Sequence, residues 1–238
     1  MRFYTYPPNG IEWPYLLVNP RNKSLLERVC FEHAILDSGV LIFHDRNVKE
    51  YPESFLESWK VEAKSVSDRF GEKVWVTIPD YPDDYNPGQF GDNVSKTIDN
   101  IENFISMDGV KWIISLQSRF LNPFSFAESI QQVNERFGQY PRIAIGTVCK
   151  TNKLNFIKQS CYYARKHFPK SQIHAFGLTL KAITPVQDII DSFDSMAWTI
   201  NRLPTGAWSC KNKVERIQNF NDYINIIKNR ISQGSVGK

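Results

Sequence analysis

Short apolar runs rich in branched residues recur along the chain, and between them the apolar positions repeat with a period of 3.6. The runs are Tyr15-Leu16-Leu17-Val18, Ala34-Ile35-Leu36, Val74-Trp75-Val76-Thr77-Ile78, Lys111-Trp112-Ile113-Ile114-Ser115-Leu116, Arg142-Ile143-Ala144-Ile145 and Gln172-Ile173-His174-Ala175-Phe176. They are continuous rather than alternating, the pattern of strands covered on both faces of a parallel sheet. Between them Phe55, Trp59, Ala63, Val66 and Phe70 fall on one helical face, as do Val94, Ile98, Ile101 and Ile105. Ala127, Ile130, Val133 and Phe137 make a third face, and Leu154, Ile157, Cys161, Ala164 and Phe168 a fourth. Thr184-Pro185-Val186-Gln187 has the form of a capping box with Pro at the first helical position, which predicts a short helix starting there. Val214, Ile217, Phe220, Ile224, Ile227 and Ile231 mark a final amphipathic helix.

Sustained strand–helix alternation gives either a doubly wound sheet or a barrel. Neither GxGxxG nor GxxxxGK[ST] occurs, which removes the usual nucleotide-binding reasons for a doubly wound sheet. A seventh strand belongs at Phe193-Asp194-Ser195, and at 238 residues the pattern predicts an α/β fold, a (β/α)8 TIM-type barrel. It reads as one compact domain over 1–238, with the barrel core at about 12–210 and the last helix at about 212–232. The stretch Leu203 to Ser209 is the only candidate for an eighth strand.

Composition narrows the class further. With 42% hydrophobic and 23% charged residues, 12 Gly and 13 Pro, the chain is ordinary globular protein, not a disordered or collagen-like one. No apolar run approaches the roughly 20 residues that cross a bilayer. The opening Met1-Arg2-Phe3-Tyr4-Thr5-Tyr6-Pro7-Pro8 lacks a signal peptide's apolar region, so a cytoplasmic protein with no membrane partner is expected. Cys30, Cys149, Cys161 and Cys210 form no CxxC, which argues against a disulfide framework or a cysteine zinc site. His33, His44, His167 and His174 are not spaced as ligands, so neither a metal nor a cofactor is expected. His174, inside a strand pattern, reads as a satisfied core histidine. The net charge of +4 permits a polyanionic partner, and Arg119, Lys150, Arg202, Lys211 and Lys213 lie near strand ends or just beyond, where phosphates would pass.

Barrel chemistry is done at the C-terminal ends of the strands. Those ends carry Asp37-Ser38-Gly39, Asp80 in the turn-rich Pro79-Asp80-Tyr81-Pro82-Asp83-Asp84, Gln117-Ser118, Gly146-Thr147, Gly177-Leu178 and Phe193-Asp194-Ser195. Singly each has a plain reading: a strand-end Asp commonly caps a helix or forms a turn, and Gln117 can satisfy a loop carbonyl. Gly177 reads as a turn glycine, and Asp188 and Asp191 as solvated residues at the exposed end of the capped helix. Cys149 lacks an evident base and is not read as a nucleophile. Taken together, three carboxylates and an amide meet at one mouth. Two facing carboxylates suit nucleophilic and acid/base work at an anomeric carbon, while an amide and a third carboxylate can read the edge of a planar base. Adjacent glycines let a ligand approach the backbone.

These segments resemble the tRNA-guanine transglycosylases. Ala34-Ile35-Leu36-Asp37-Ser38-Gly39 is similar to the family's Asp-Ser-Gly segment, and Trp75-Val76-Thr77-Ile78-Pro79-Asp80 to its base-recognition aspartate strand. Ile113-Ile114-Ser115-Leu116-Gln117, Arg142-Ile143-Ala144-Ile145-Gly146 and His174-Ala175-Phe176-Gly177-Leu178 resemble the three strands that follow. Ser192-Phe193-Asp194-Ser195-Met196-Ala197-Trp198 resembles the strand of the nucleophilic aspartate. The matches keep family order over roughly residues 30 to 202. The chain departs from the pattern at Val40, Leu41-Ile42 and Thr147, and the family's C-terminal zinc subdomain is missing, with only Cys210 in that region.

The resemblance implies a pentosyltransferase that replaces guanine by a 7-deazaguanine, with the 7-cyano form favoured. Asp194 would be the nucleophile and Asp37 the general acid/base; Ser38, Asp80, Gln117 and Gly146 would bind the base, backbone N–H groups near Gly146 satisfying its carbonyl. The missing zinc subdomain, which helps hold tRNA, favours the branch that modifies DNA over tRNA. The implied partners are DNA or tRNA, a free 7-deazaguanine and accessory modification proteins. Three other readings stay open: a paralogue acting on tRNA, a water-accepting N-glycosidase, and a non-catalytic nucleic-acid-binding barrel.

Overall fold

Eight parallel strands form the wall of a (β/α)8 barrel: β1 (Arg2–Tyr4), β2 (Tyr15–Val18), β3 (His33–Leu36), β4 (Val74–Thr77), β5 (Trp112–Leu116), β6 (Arg142–Ile145), β7 (Gln172–Ala175) and β8 (Ser192–Asp194). The computed structural model describes residues 1–46, 48–83, 87–149, 151–199 and 212–234. Ladders run in the order β1-β8-β7-β6-β5-β4-β3-β2. The wall closes where Thr5 bridges β2, donating to the Tyr15 carbonyl at 3.2 Å and accepting from the Leu17 amide at 2.9 Å. Helices α1 (Leu25–Arg28), α2 (Glu53–Phe70), α3 (Asn93–Ile105), α4 (Pro123–Phe137), α5 (Leu154–His167), α6 (Leu180–Val186) and α7 (Lys213–Gly234) surround it.

Arg2–Tyr4 takes the eighth place in the wall, so the barrel begins at Arg2 rather than near residue 12; Leu203 to Ser209 lies outside the described residues. The three residues alternate too briefly to register as a period. Phe3 points outward against Phe193, Trp13 and Tyr223, while Tyr4 points inward.

Side chains of a strand alternate between faces, and this alternation builds both core and site. The inner layer contains Tyr4, Ile35, Trp75, Ile113 and Ala144. Outward residues such as Leu16, Leu36, Val76, Ile114, Ile145 and Phe193 meet the helices in the main core. Each such side chain contributes roughly 1.5–3 kcal/mol on burial. Trp59, Ala63 and Val66 of α2 and Val94, Ile98 and Ile101 of α3 are buried as their spacing requires. In α4 the buried face uses Phe126 where Ala127 was expected, and Leu154 and Val214 are exposed.

Two local expectations fail. Helix α6 ends, rather than begins, at the Thr184-Pro185 segment: it starts after Thr179, and Thr184 Oγ1 donates to the Arg230 carbonyl of α7 instead of capping. Burial of Ala182, Ile183 and Val186 overrides the capping signature, with Pro185 accommodated in the last turn. Asp191 is not simply solvated, since its Oδ2 accepts from Arg165 Nη2 at 2.6 Å and from the Ile173 amide at 2.7 Å. Among the described residues no helix is long and apolar enough to cross a membrane.

Candidate active site

Two residues above the inner layer, the same parity carries Ile35 to Asp37 and Ala144 to Gly146, and four above it carries Ile113 to Gln117. On β7 and β8, the inward His174 and Ser192 lead to Phe176 and Asp194. The loops that follow the strands frame a cavity of about 430 Å³, lined by Asp37, Asp80, Gln117, Gly146 and Asp194 among others. That volume falls within the roughly 300–1,000 Å³ usual for small-molecule sites. Tyr6, Leu17, Phe176 and Met196 supply apolar wall.

Asp194 is held from below. Its Oδ1 accepts from the Gly177 amide at 3.0 Å and lies 3.1 Å from His174 Nε2. A carboxylate only accepts, so Nε2 carries a proton, and in the neutral ring Nδ1 accepts from Ser192 Oγ at 2.9 Å. His174 is thus the satisfied core histidine of the sequence reading, yet one of its partners is the candidate nucleophile. Gly177, at φ +57°, has no room for a side chain because an added Cβ would stand 2.6 Å from Cys149 Sγ. Among the described residues the other Asp194 oxygen has no hydrogen bond.

Asp37 sits across the cavity on the turn after β3. One oxygen accepts from the Gly39 amide at 2.8 Å, a turn closed by the left-handed Gly39 at φ +73°. Burial, and secondarily the charge of Asp194, raise its pKa from 3.8 to about 6, against the lowering effect of the Gly39 bond. The two carboxylates therefore sense each other within one cavity.

Gln117 Nε2 donates to Asp80 Oδ2, and both side chains are buried. The remaining amide oxygen, Gln117 Oε1, is buried without a partner at the cavity wall. Gly146 makes room for this amide, since a Cβ there would stand 2.1 Å from Gln117 Nε2. Its own N–H is not free for a ligand, because it donates to the Leu116 carbonyl at 3.0 Å. The backbone donors expected near Gly146 would therefore come from its neighbours; among the described residues, the amides of Thr147 and Val148 are not hydrogen-bonded.

Ser38 is not with the others. Alternation turns its side chain to the outer face, where its buried Oγ has no partner, while its amide donates to Thr77 Oγ1 at 2.8 Å. It lines a neighbouring pocket with Trp59 and Glu62. Of the basic residues, Arg119 and Lys213 are exposed, and Lys150, Arg202 and Lys211 lie outside the described residues.

The loop after Asp194 is clamped to both ends of the described chain. Thr5 Oγ1 donates to the Ser195 carbonyl at 3.0 Å and accepts from Trp198 Nε1 at 2.9 Å, while Tyr223 of α7 donates to Ser195 Oγ at 2.8 Å. Ser195 and Trp198 belong to the motif read from the sequence; their partners Thr5 and Tyr223 were not singled out there. Compared with known proteins, the chain matches no family model and none of the curated proteins.

Proposed function

We propose that the protein exchanges guanine in a nucleic acid for a 7-deazaguanine, the 7-cyano form favoured, with DNA rather than tRNA carrying the target. The observation that supports this reading is the pair of carboxylates across one cavity, Asp194 oriented by His174 and Gly177, Asp37 with its pKa raised to about 6. Asp194 attacks C1′ of the target nucleotide. The C1′–N9 bond breaks, its electron pair goes to the departing guanine, and Asp37 supplies the proton that neutralises it. The incoming base gives its proton to Asp37 as it attacks C1′, and the bond to Asp194 breaks. Two displacements retain the sugar's configuration.

Asp80 and the unpartnered Gln117 Oε1 accept from the N–H groups of the base edge, and backbone N–H groups near Gly146 are the proposed donors to its carbonyl. The target base leaves its stack to reach this cavity. A cytoplasmic setting goes with this reading.

The test is incubation with labelled guanine or 7-cyano-7-deazaguanine and either DNA or tRNA. Incorporation into DNA that disappears in Asp194→Asn supports the proposal; incorporation into tRNA selects the tRNA paralogue instead. Release of free base without incorporation means that water is the acceptor, and turnover retained in Asp194→Asn removes that residue as nucleophile.

A further inference from the structure

The loop between β5 and α4 leaves the cavity at Gln117 and is pinned at nearly every step. The Ser118 carbonyl accepts from Asn93 Nδ2 at 3.0 Å, and the Arg119 amide donates to Ser125 Oγ at 2.8 Å. The Phe120 amide donates to Asp83 Oδ2 at 2.8 Å, next to Pro82, which lines the cavity. Asn122 caps α4, accepting from the Phe124 amide at 2.9 Å and the Ser125 amide at 3.2 Å. Inside this frame Leu121 is held at φ +51°, a left-handed backbone that a side-chain-bearing residue adopts only at a cost.

What the frame presents is apolar. Phe120 is 47% and Phe124 85% exposed, and Leu154, opening the next helix around the rim, is 36% exposed. Scattered exposed apolar residues are ordinary. One phenyl ring on a strained, hydrogen-bonded loop, three residues beyond the cavity side chain Gln117, and a second in the first turn of α4 four residues later, form a platform. Arg119 precedes Phe120 and Lys153 precedes Leu154 in the chain, both exposed and outside any ion pair among the described residues. The patch is too small for the core of a stable protein–protein interface. Rings flanked by unpaired cations have the make-up of surfaces that stack the bases of an unpaired strand while tracking its phosphates.

We propose that Phe120 and Phe124 stack on an unpaired nucleotide flanking the one whose base enters the cavity, with Arg119 and Lys153 on the adjoining phosphates. This rests on the base-exchange reading for the identity of the partner, a nucleic-acid strand, and adds how that strand is held open at the mouth.

The experiment combines photocross-linking of the full chain to short mixed-sequence DNA and RNA oligonucleotides carrying 5-iodouracil with affinity and exchange measurements on Phe120→Ser, Phe124→Ser and Arg119→Gln. Cross-links on the unaltered chain are expected at Phe120 or Phe124 with whichever nucleic acid supports exchange. Each Phe variant should weaken oligonucleotide binding by about tenfold with its salt dependence kept, whereas Arg119→Gln should lower the salt slope by about one. Exchange and binding at parental levels in the double Phe variant, with cross-links elsewhere, would overturn the platform and leave the base-exchange reading standing. A chain that neither binds nor modifies DNA or RNA would overturn both.

Discussion

Asp37 holds its proton two pH units beyond an ordinary aspartate because burial penalises its charge and Asp194 adds to that penalty. A carboxyl with a raised pKa binds protons more tightly folded than unfolded, so stability falls as pH climbs from about 4 through about 6. Above that range the ionised group costs about 3 kcal/mol at most. Asp37→Asn, which keeps the acceptor for the Gly39 amide, should therefore melt several degrees above the parent at neutral pH. Calorimetry should show that gap closing toward pH 4; equal melting at neutral pH would mean that Asp37 is no proton store. His174 offers a second handle. His174→Phe fills the space beside Tyr4, whose ring lies 5.5 Å away, but removes the bond to Asp194. It should lower kcat on the order of a hundredfold, with KM for the free base little changed; a fall in melting temperature without this split would make His174 structural only. Asp37, Asp80, Gln117 and Asp194 were legible because they stand where strands end. His174 was not, since its partners follow from the register that sets His174 opposite Ser192 across β7 and β8. Ser38 lines the neighbouring pocket because neighbours on a strand face opposite sides.

At the scale of elements, the sheet was legible wherever an apolar run was long enough to stand out. Most helical faces followed from period alone. β1 escaped because three residues cannot display a period, and its role depends on pairing with β8. The Thr184-Pro185 signature misled because a cap is local chemistry, whereas α6 is placed by the side chains it buries against the barrel and α7. Gly146 at the end of β6 gives an element-level test. In Gly146→Ala the new methyl displaces the Gln117 amide, which can swing, so the barrel should survive while the Asp80–Gln117 pairing is lost. KM for the free base should rise by roughly tenfold, with far-UV circular dichroism unchanged. An unaltered KM would detach Gln117 from base recognition.

For the whole molecule, closure of the barrel and placement of the candidate nucleophile are one event. Thr5 bonds β2 through its backbone and the Asp194 loop through its hydroxyl, across a separation of 190 residues. Thr5→Val leaves the Ser195 carbonyl and Trp198 Nε1 without their partner, which should cost about 2–4 kcal/mol in urea unfolding. Hydrogen exchange should quicken first along β1, β8 and the Tyr223 contact; a uniform change across all strands would show that the seam is not a separate unit of stability. Because pairing of such distant segments is intrinsically slow, the β1–β8 ladder is expected to form late in assembly. A ribosome-bound or half-collapsed chain would possess most of its wall yet no organised nucleophile. Under the proposed function, a reaction that severs nucleotides from their bases would thereby be withheld until folding is complete.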